Sequence, residues 1–128
     1  MKVLLSIKPK YADLIFDGTK KFEFRRTIFK NEDIKTIVVY ASSPVQKVIG
    51  EFEIETILND DLAKLWKQTK DYAGVDKAYF FEYFTNKEKG YAIKIKKAKK
   101  YRNPLCLKED FKLLPPQSFL YLNDRNKN

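Results

Sequence analysis

Between Val48 and Glu55 the chain alternates without a break. Val48, Gly50, Phe52 and Ile54 share one side, and Ile49, Glu51, Glu53 and Glu55 the other. A two-residue period sends successive side chains to opposite faces of a strand. This segment therefore belongs in a sheet, with an acidic face that is solvated or paired, and Gly50 marks a bulge or bend. Tyr91, Ile93 and Ile95 alternate with Ala92, Lys94 and Lys96 in the same way. If the two segments pair, Lys94 and Lys96 face Glu51, Glu53 and Glu55, at about 0.2–1 kcal/mol per opposite-charge pair. Thr36–Ala41, rich in β-branched residues, reads as a central strand. Residues 2 to 7 form an apolar run that reads as a strand buried on both faces.

Helices fill the gaps. Pro9 suits a first helical turn, and Tyr11, Leu14, Ile15 and Gly18 fall at i, i+3, i+4 and i+7. Gly18 then supplies the left-handed stop. Asn59-Asp60-Asp61 offers an N-cap for a helix carrying Leu62, Leu65, Trp66 and Thr69. Asp76 caps another, whose Tyr79, Phe80, Tyr83 and Phe84 read as core because a small domain needs its large side chains inside. From Lys97 to Pro104 the alternation lapses, which predicts a bulge or exit loop. A short apolar return follows near Phe119–Leu122, and 124–128 reads as a frayed end. The expectation is one α+β domain over 1–123: a small, mostly antiparallel β-barrel of about five to six strands with peripheral helices.

Lys and Arg outnumber Asp and Glu by 26 to 17, a net charge of +9. That excess favours an anionic partner: nucleic acid, a nucleotide or a membrane surface. The chain has no His and a single Cys, Cys106, which removes internal disulfides, the usual zinc sets and His-based catalysis. No metal or cofactor is expected. The apolar run near the N-terminus is too short for a membrane span, so a cytoplasmic protein without a membrane partner is expected.

The segment Gly18-Thr19-Lys20-Lys21-Phe22-Glu23-Phe24-Arg25-Arg26 is the chemically richest. Phe22 and Phe24 alternate with Glu23 and Arg25. The charged side is either a polar site or a solvated edge whose ion pairs contribute about 0–1 kcal/mol. Arg25 offers a planar fork for a phosphate or base edge, and Lys20 a mobile point charge. Glu23 can orient either cation, or accept from an exocyclic amine. Ser42 and Ser43, at a strand end before Pro44, either donate hydroxyl or backbone N–H bonds to a phosphate or are plain turn residues. Tyr40 either stacks on a base or belongs to the core. Lys97, Lys99, Lys100 and Arg102, with Arg26, read equally as peripheral phosphate contacts or as a solvated face.

Taken in order, Leu5-Ser6-Ile7-Lys8-Pro9, Gly18-x-Lys20-x-x-Glu23-x-Arg25, Tyr40-Ala41-Ser42-Ser43-Pro44, Val48-Ile49-Gly50-Glu51-Phe52 and Pro115-Pro116-Gln117-Ser118-Phe119 resemble the ASCH family of the PUA-like superfamily. The resemblance implies a PUA-like barrel and a cleft that binds RNA or a nucleotide-like ligand, with DNA as another partner, in a regulator of transcription or translation. It assigns the cleft to Lys8, Lys20, Glu23, Arg25, Ser42 and Ser43, joined by Gln117 and Ser118. Some compact members look like amidohydrolases of acetylated cytidine, using the lysine of this segment, a threonine at the Glu23 position and a glutamate from the helical region. Here Glu23 replaces the threonine, and the matching stretch Tyr72-Ala73-Gly74 has no carboxylate. Recognition is therefore the first expectation. The second is a hydrolase acting on a modified nucleoside or RNA, with Lys20 as base or nucleophile and Glu23 assisting; burial or Arg25 would lower the Lys20 pKa and Glu23 would oppose that. The third is a protein-interaction module.

Overall fold

A computed structural model describes residues 1–123. In chain order the elements are β1 (Lys2–Ile7), α1 (Pro9–Phe16), β2 (Phe22–Arg25), β3 (Thr36–Ala41) and β4 (Lys47–Asp61). Next come α2 (Leu62–Thr69), a 3₁₀ turn (Lys70–Tyr72), α3 (Lys77–Tyr83), β5 (Lys89–Leu105), α4 (Leu107–Phe111) and β6 (Phe119–Leu122). The local signals place these elements well. Pro9 sits in the first turn of α1, and Gly18 follows it with a φ of 88°. Asp61 and Asp76 cap α2 and α3, accepting bonds from the backbone N–H groups of Lys64 and Tyr79. The expected frayed end, 124–128, lies outside the described residues.

The six strands form one sheet in the order β2-β5-β4-β3-β1-β6. This corrects the expected barrel: the sheet is open, with β2 and β6 as its edges and no ladder joining them among the described residues. It is also mixed, since β1 and β3 run parallel. Parallel neighbours need a long crossover, and α1 and β2 lie within it.

Of the two expectations for Lys97–Pro104, the bulge holds and the exit loop does not, because the segment is strand with a slipped register. β4 is 15 residues long and gives β5 a partner nearly throughout, setting Lys97 opposite Glu53 and Lys99 opposite Glu51. The alternation lapses because the ladder slips between Val48 and Gly50 and twice between Glu53 and Thr56. Gly50 is required at its slip. A Cβ there would stand 2.5 Å from the Phe16 ring and 2.6 Å from the Lys99 carbonyl oxygen.

β1 is buried on both faces, as its apolar run requires. Val3, Leu5 and Ile7 pack with Ala12 and Ile15 of α1, Ile37, Val39 and Phe52. Leu4 faces the other way, toward Val38, Tyr40, Val48 and the α4 residues Leu107 and Phe111. Tyr40 is therefore core. A third cluster ties β2 to α2 and α3 through Phe22, Phe24, Leu65, Phe80 and Phe84. None of the described helices is long and apolar enough to cross a membrane.

Candidate functional site

Apolar anchoring of β2 decides where its charges go. Phe24 meets Phe80 edge-on at 5.1 Å between ring centres, and Phe22 and Phe24 are both buried. The same packing takes the neighbouring charges out of solvent. Glu23 is 7% exposed and Lys20, in the turn before β2, only 3%. The solvated-edge reading of this segment therefore fails.

The Lys20 ammonium donates to the Ala73 carbonyl at 2.6 Å and stands 4.8 Å from the centre of the Phe24 ring and 5.7 Å from that of Tyr11. Burial lowers its pKa, and the nearby Glu23 carboxylate opposes that shift, since removing a cation from water disfavours its charged form. Gly74 allows this packing. At a φ of +71° it lies against the lysine stem, where a Cβ would come within 2.6 Å of the Lys20 Cγ. Glu23 Oε2 accepts from Arg25 Nη1 at 3.4 Å, and no hydrogen bond to Oε1 is seen among the described residues. Arg25 Nη2 donates to both the carbonyl and the hydroxyl of Ser118, at 3.2 and 3.0 Å. That guanidinium links the two edges of the sheet where no ladder does.

Lys20, Glu23 and Arg25 open onto one cleft of about 140 Å³. Ser6, Ile7 and Lys8 form one wall, and Tyr11, Val75, Tyr79 and Tyr83 another, with Phe24 beneath. Tyr79 and Tyr83 lie nearly parallel, their ring centres 6.4 Å apart. The Tyr83 hydroxyl donates to the Phe24 carbonyl at 3.1 Å. Burial pushes the Tyr79 hydroxyl up, reinforced by its hydrogen bond with Tyr11. Burial also raises Tyr83, against the pull of Arg25.

Of the residues singled out in the sequence, Lys8, Lys20, Glu23 and Arg25 share this cleft. Ser118 reaches it through Arg25. Ser42, Ser43 and Gln117 are not among its walls; the Ser42 N–H donates to the Ile7 carbonyl at 3.0 Å, so it is not free to hold a phosphate. Arg26 is engaged elsewhere, donating to the carbonyls of Tyr83 and Thr85 at 2.8 Å each, where cations favour a helix C-terminus. Lys97, Lys99, Lys100 and Arg102 are exposed along β5 and outside the cleft. Sequence reasoning missed Tyr11, Tyr79 and Tyr83. The signal was present in α3, where the i, i+4 pair Phe80 and Phe84 lies beside the i, i+4 pair Tyr79 and Tyr83. Only the first pair lacks hydroxyls, and only that pair is fully buried.

With this geometry in place, the chain can be compared with known proteins. It is 33% identical over 121 residues to large ribosomal subunit protein uL22 of Ureaplasma parvum, a match spanning 94% of this chain but 39% of that protein. The chain thus covers about two fifths of that relative's length. An ASCH domain-containing ribonuclease of Zymomonas mobilis is 32% identical over 124 residues, 94% of this chain and 84% of its own. The crystal structure of ASCH from Zymomonas mobilis superposes with a TM-score of 0.89 at 31% identity, covering 98% of this chain and 90% of that one. The sequence profile described as ASCH domain matches residues 5–102. The chain belongs to the ASCH domain family.

Proposed function

We propose that the protein binds single-stranded RNA at this cleft and cleaves its phosphodiester backbone there. The observation that carries the proposal is Lys20: a lysine buried to 3% exposure, its pKa lowered by burial, beside a carboxylate and a guanidinium in one concavity. Buried titratable groups with shifted pKa values in clefts are candidates for functional sites. The family relative named a ribonuclease supports the choice of substrate.

The chemistry follows from the positions. Glu23 Oε1 takes the proton of a ribose 2′-hydroxyl, and the 2′-oxygen forms a bond to the adjacent phosphorus. Arg25 neutralises the charge gathering on the non-bridging oxygens. The bond from phosphorus to the 5′-oxygen breaks as Lys20 passes a proton to that oxygen, helped by its lowered pKa. The products are a 2′,3′-cyclic phosphate and a 5′-hydroxyl. Proton return from Glu23 to Lys20 restores the site. Ser118 positions Arg25, and the exposed Lys97, Lys99, Lys100 and Arg102 hold flanking phosphates, which makes binding salt-dependent.

A second reading, hydrolysis of a modified nucleoside such as acetylated cytidine, draws on the contact between Lys20 and Ala73. The stretch that supplies a glutamate in compact family members lies against the lysine here, and Glu23 would stand in for that carboxylate. One experiment separates the readings. Labelled RNA and acetylated cytidine are each incubated with the protein and with Lys20→Ala. Cyclic-phosphate ends that the variant fails to produce support the ribonuclease; acetate release that it fails to produce supports the second reading. Intact RNA, together with no salt-dependent binding at micromolar protein, would overturn the proposal.

A further inference from the structure

A second cavity, of about 480 Å³, adjoins the cleft. Tyr11, Val75 and Tyr79 line both spaces. The Tyr11 and Tyr79 rings, 5.3 Å apart and tilted by 52°, make up a shared partition. Each side of it has its own cation. Lys20 lines the inner cleft and approaches the Tyr11 ring at 5.7 Å. Lys10 lines the outer cavity and approaches the same ring at 5.8 Å.

Size divides the labour between the two spaces. The inner cleft, about 140 Å³, is close to the ~150 Å³ of a cavity that admits one benzene-sized group. A group of that size matches the reacting phosphate with its adjoining oxygens and leaves no room for the neighbouring base as well. Everything else in a nucleotide chain has to leave over the rim, and the outer cavity is the adjoining space. We propose that this outer cavity is a base subsite, in which the base next to the reacting ribose-phosphate stacks on the Tyr11–Tyr79 partition while Lys10 holds the following phosphate. Aromatic side chains serve single-stranded RNA in this way because every base has a π-face. Thr19 and Asp76, which also line the cavity, present polar atoms to the base edge. Asp76 is held in place by the Tyr79 N–H, which donates to its Oδ1 at 2.8 Å.

The inference rests on the cleft being the RNA site, and the test keeps the two apart. The probes are a 2′-O-methylated dinucleotide with a phosphate at each end, which presents a phosphate beyond either base and cannot react through its 2′-oxygen, and its two abasic isomers. The variants are Thr19→Trp, which fills the outer cavity, and Lys10→Gln. Neither residue lines the inner cleft, and the turn at Thr19 is held by its backbone N–H on Asp17. The expected result is that removing one of the two bases weakens binding at least fivefold. Thr19→Trp and Lys10→Gln should weaken the complete dinucleotide to a similar degree, with Thr19→Trp adding nothing once that base is gone. Equal affinity for all three probes, or full affinity in Thr19→Trp, overturns the base subsite and leaves the cleft as the RNA site. Failure of every probe to bind the wild-type protein overturns both.

Discussion

Lys20 and Lys94 sit at opposite ends of one idea about charge on a sheet. Both flank Phe22, Lys20 two residues before it in the chain and Lys94 directly opposite it across the ladder. Lys94 reaches Glu55 at 2.8 Å with both side chains more than two-fifths exposed. Lys20 is buried against a backbone carbonyl and two aromatic rings. Water screens the first pair and holds its worth to about 0–1 kcal/mol. Without that screen the second lysine has a lowered pKa. The two lysines differ because Phe22 and Phe24 bind the strand after Lys20 to α2 and α3, whereas the Lys94 side chain stays open to solvent beside Glu55.

The contrast breaks most sharply at Lys20. Lys20→Met should lower RNA cleavage by about 10²–10⁴-fold, the range for losing a general acid or base, with thermal stability retained because an apolar chain suits the site. Lys94→Ala should leave both quantities nearly unchanged. Cleavage at wild-type rate in Lys20→Met would erase the distinction. Arg25→Ala comes next. It leaves Glu23 buried without its partner and unlinks Ser118, so urea unfolding should register a loss of about 3 kcal/mol.

Stability against pH sharpens the contrast further. Below the lowered folded-state pKa, both folded and unfolded chains hold the Lys20 proton. Between that value and the ordinary 10.5, only the unfolded chain holds it, so stability rises with pH across the window. Tyr83, raised by burial from 10.0, acts in the opposite sense above that value, so the comparison is read below pH 10. Wild type minus Lys20→Met should show the rise, and Lys94→Ala should keep it. The smallest effect belongs to β5: Lys97→Ala with Lys99→Ala should change stability by less than about 1 kcal/mol while flattening the salt dependence of RNA binding by up to two phosphate contacts.

Much of this was legible because it is local. Gly18, Pro9, Asp61 and Asp76 act within a turn of their own position, and Gly50 betrayed its bulge. The charged trio Lys20, Glu23 and Arg25 could be named from one short segment. Their burial could not, because it depends on α2 and α3, which begin at Leu62 and Lys77, far along the chain. The open sheet was hidden for the same reason: the parallel pairing of β1 with β3 joins segments whose sequences carry no mark of direction. On α3, two aromatic pairs share one spacing, and only the hydroxyls of Tyr79 and Tyr83 set apart the pair that reaches the cleft. Ser42 read as either a phosphate donor or a turn residue, and its N–H is taken by the Ile7 carbonyl.

The clasp between Arg25 and Ser118 also sets a clock. The two residues are 93 positions apart, and ribosomes add roughly 5–20 residues each second. For about 5–20 seconds of synthesis, Lys20, Glu23 and Arg25 already exist while the group that fixes the guanidinium has yet to be made. A nascent chain therefore carries all three charged side chains with the arginine not yet held by Ser118.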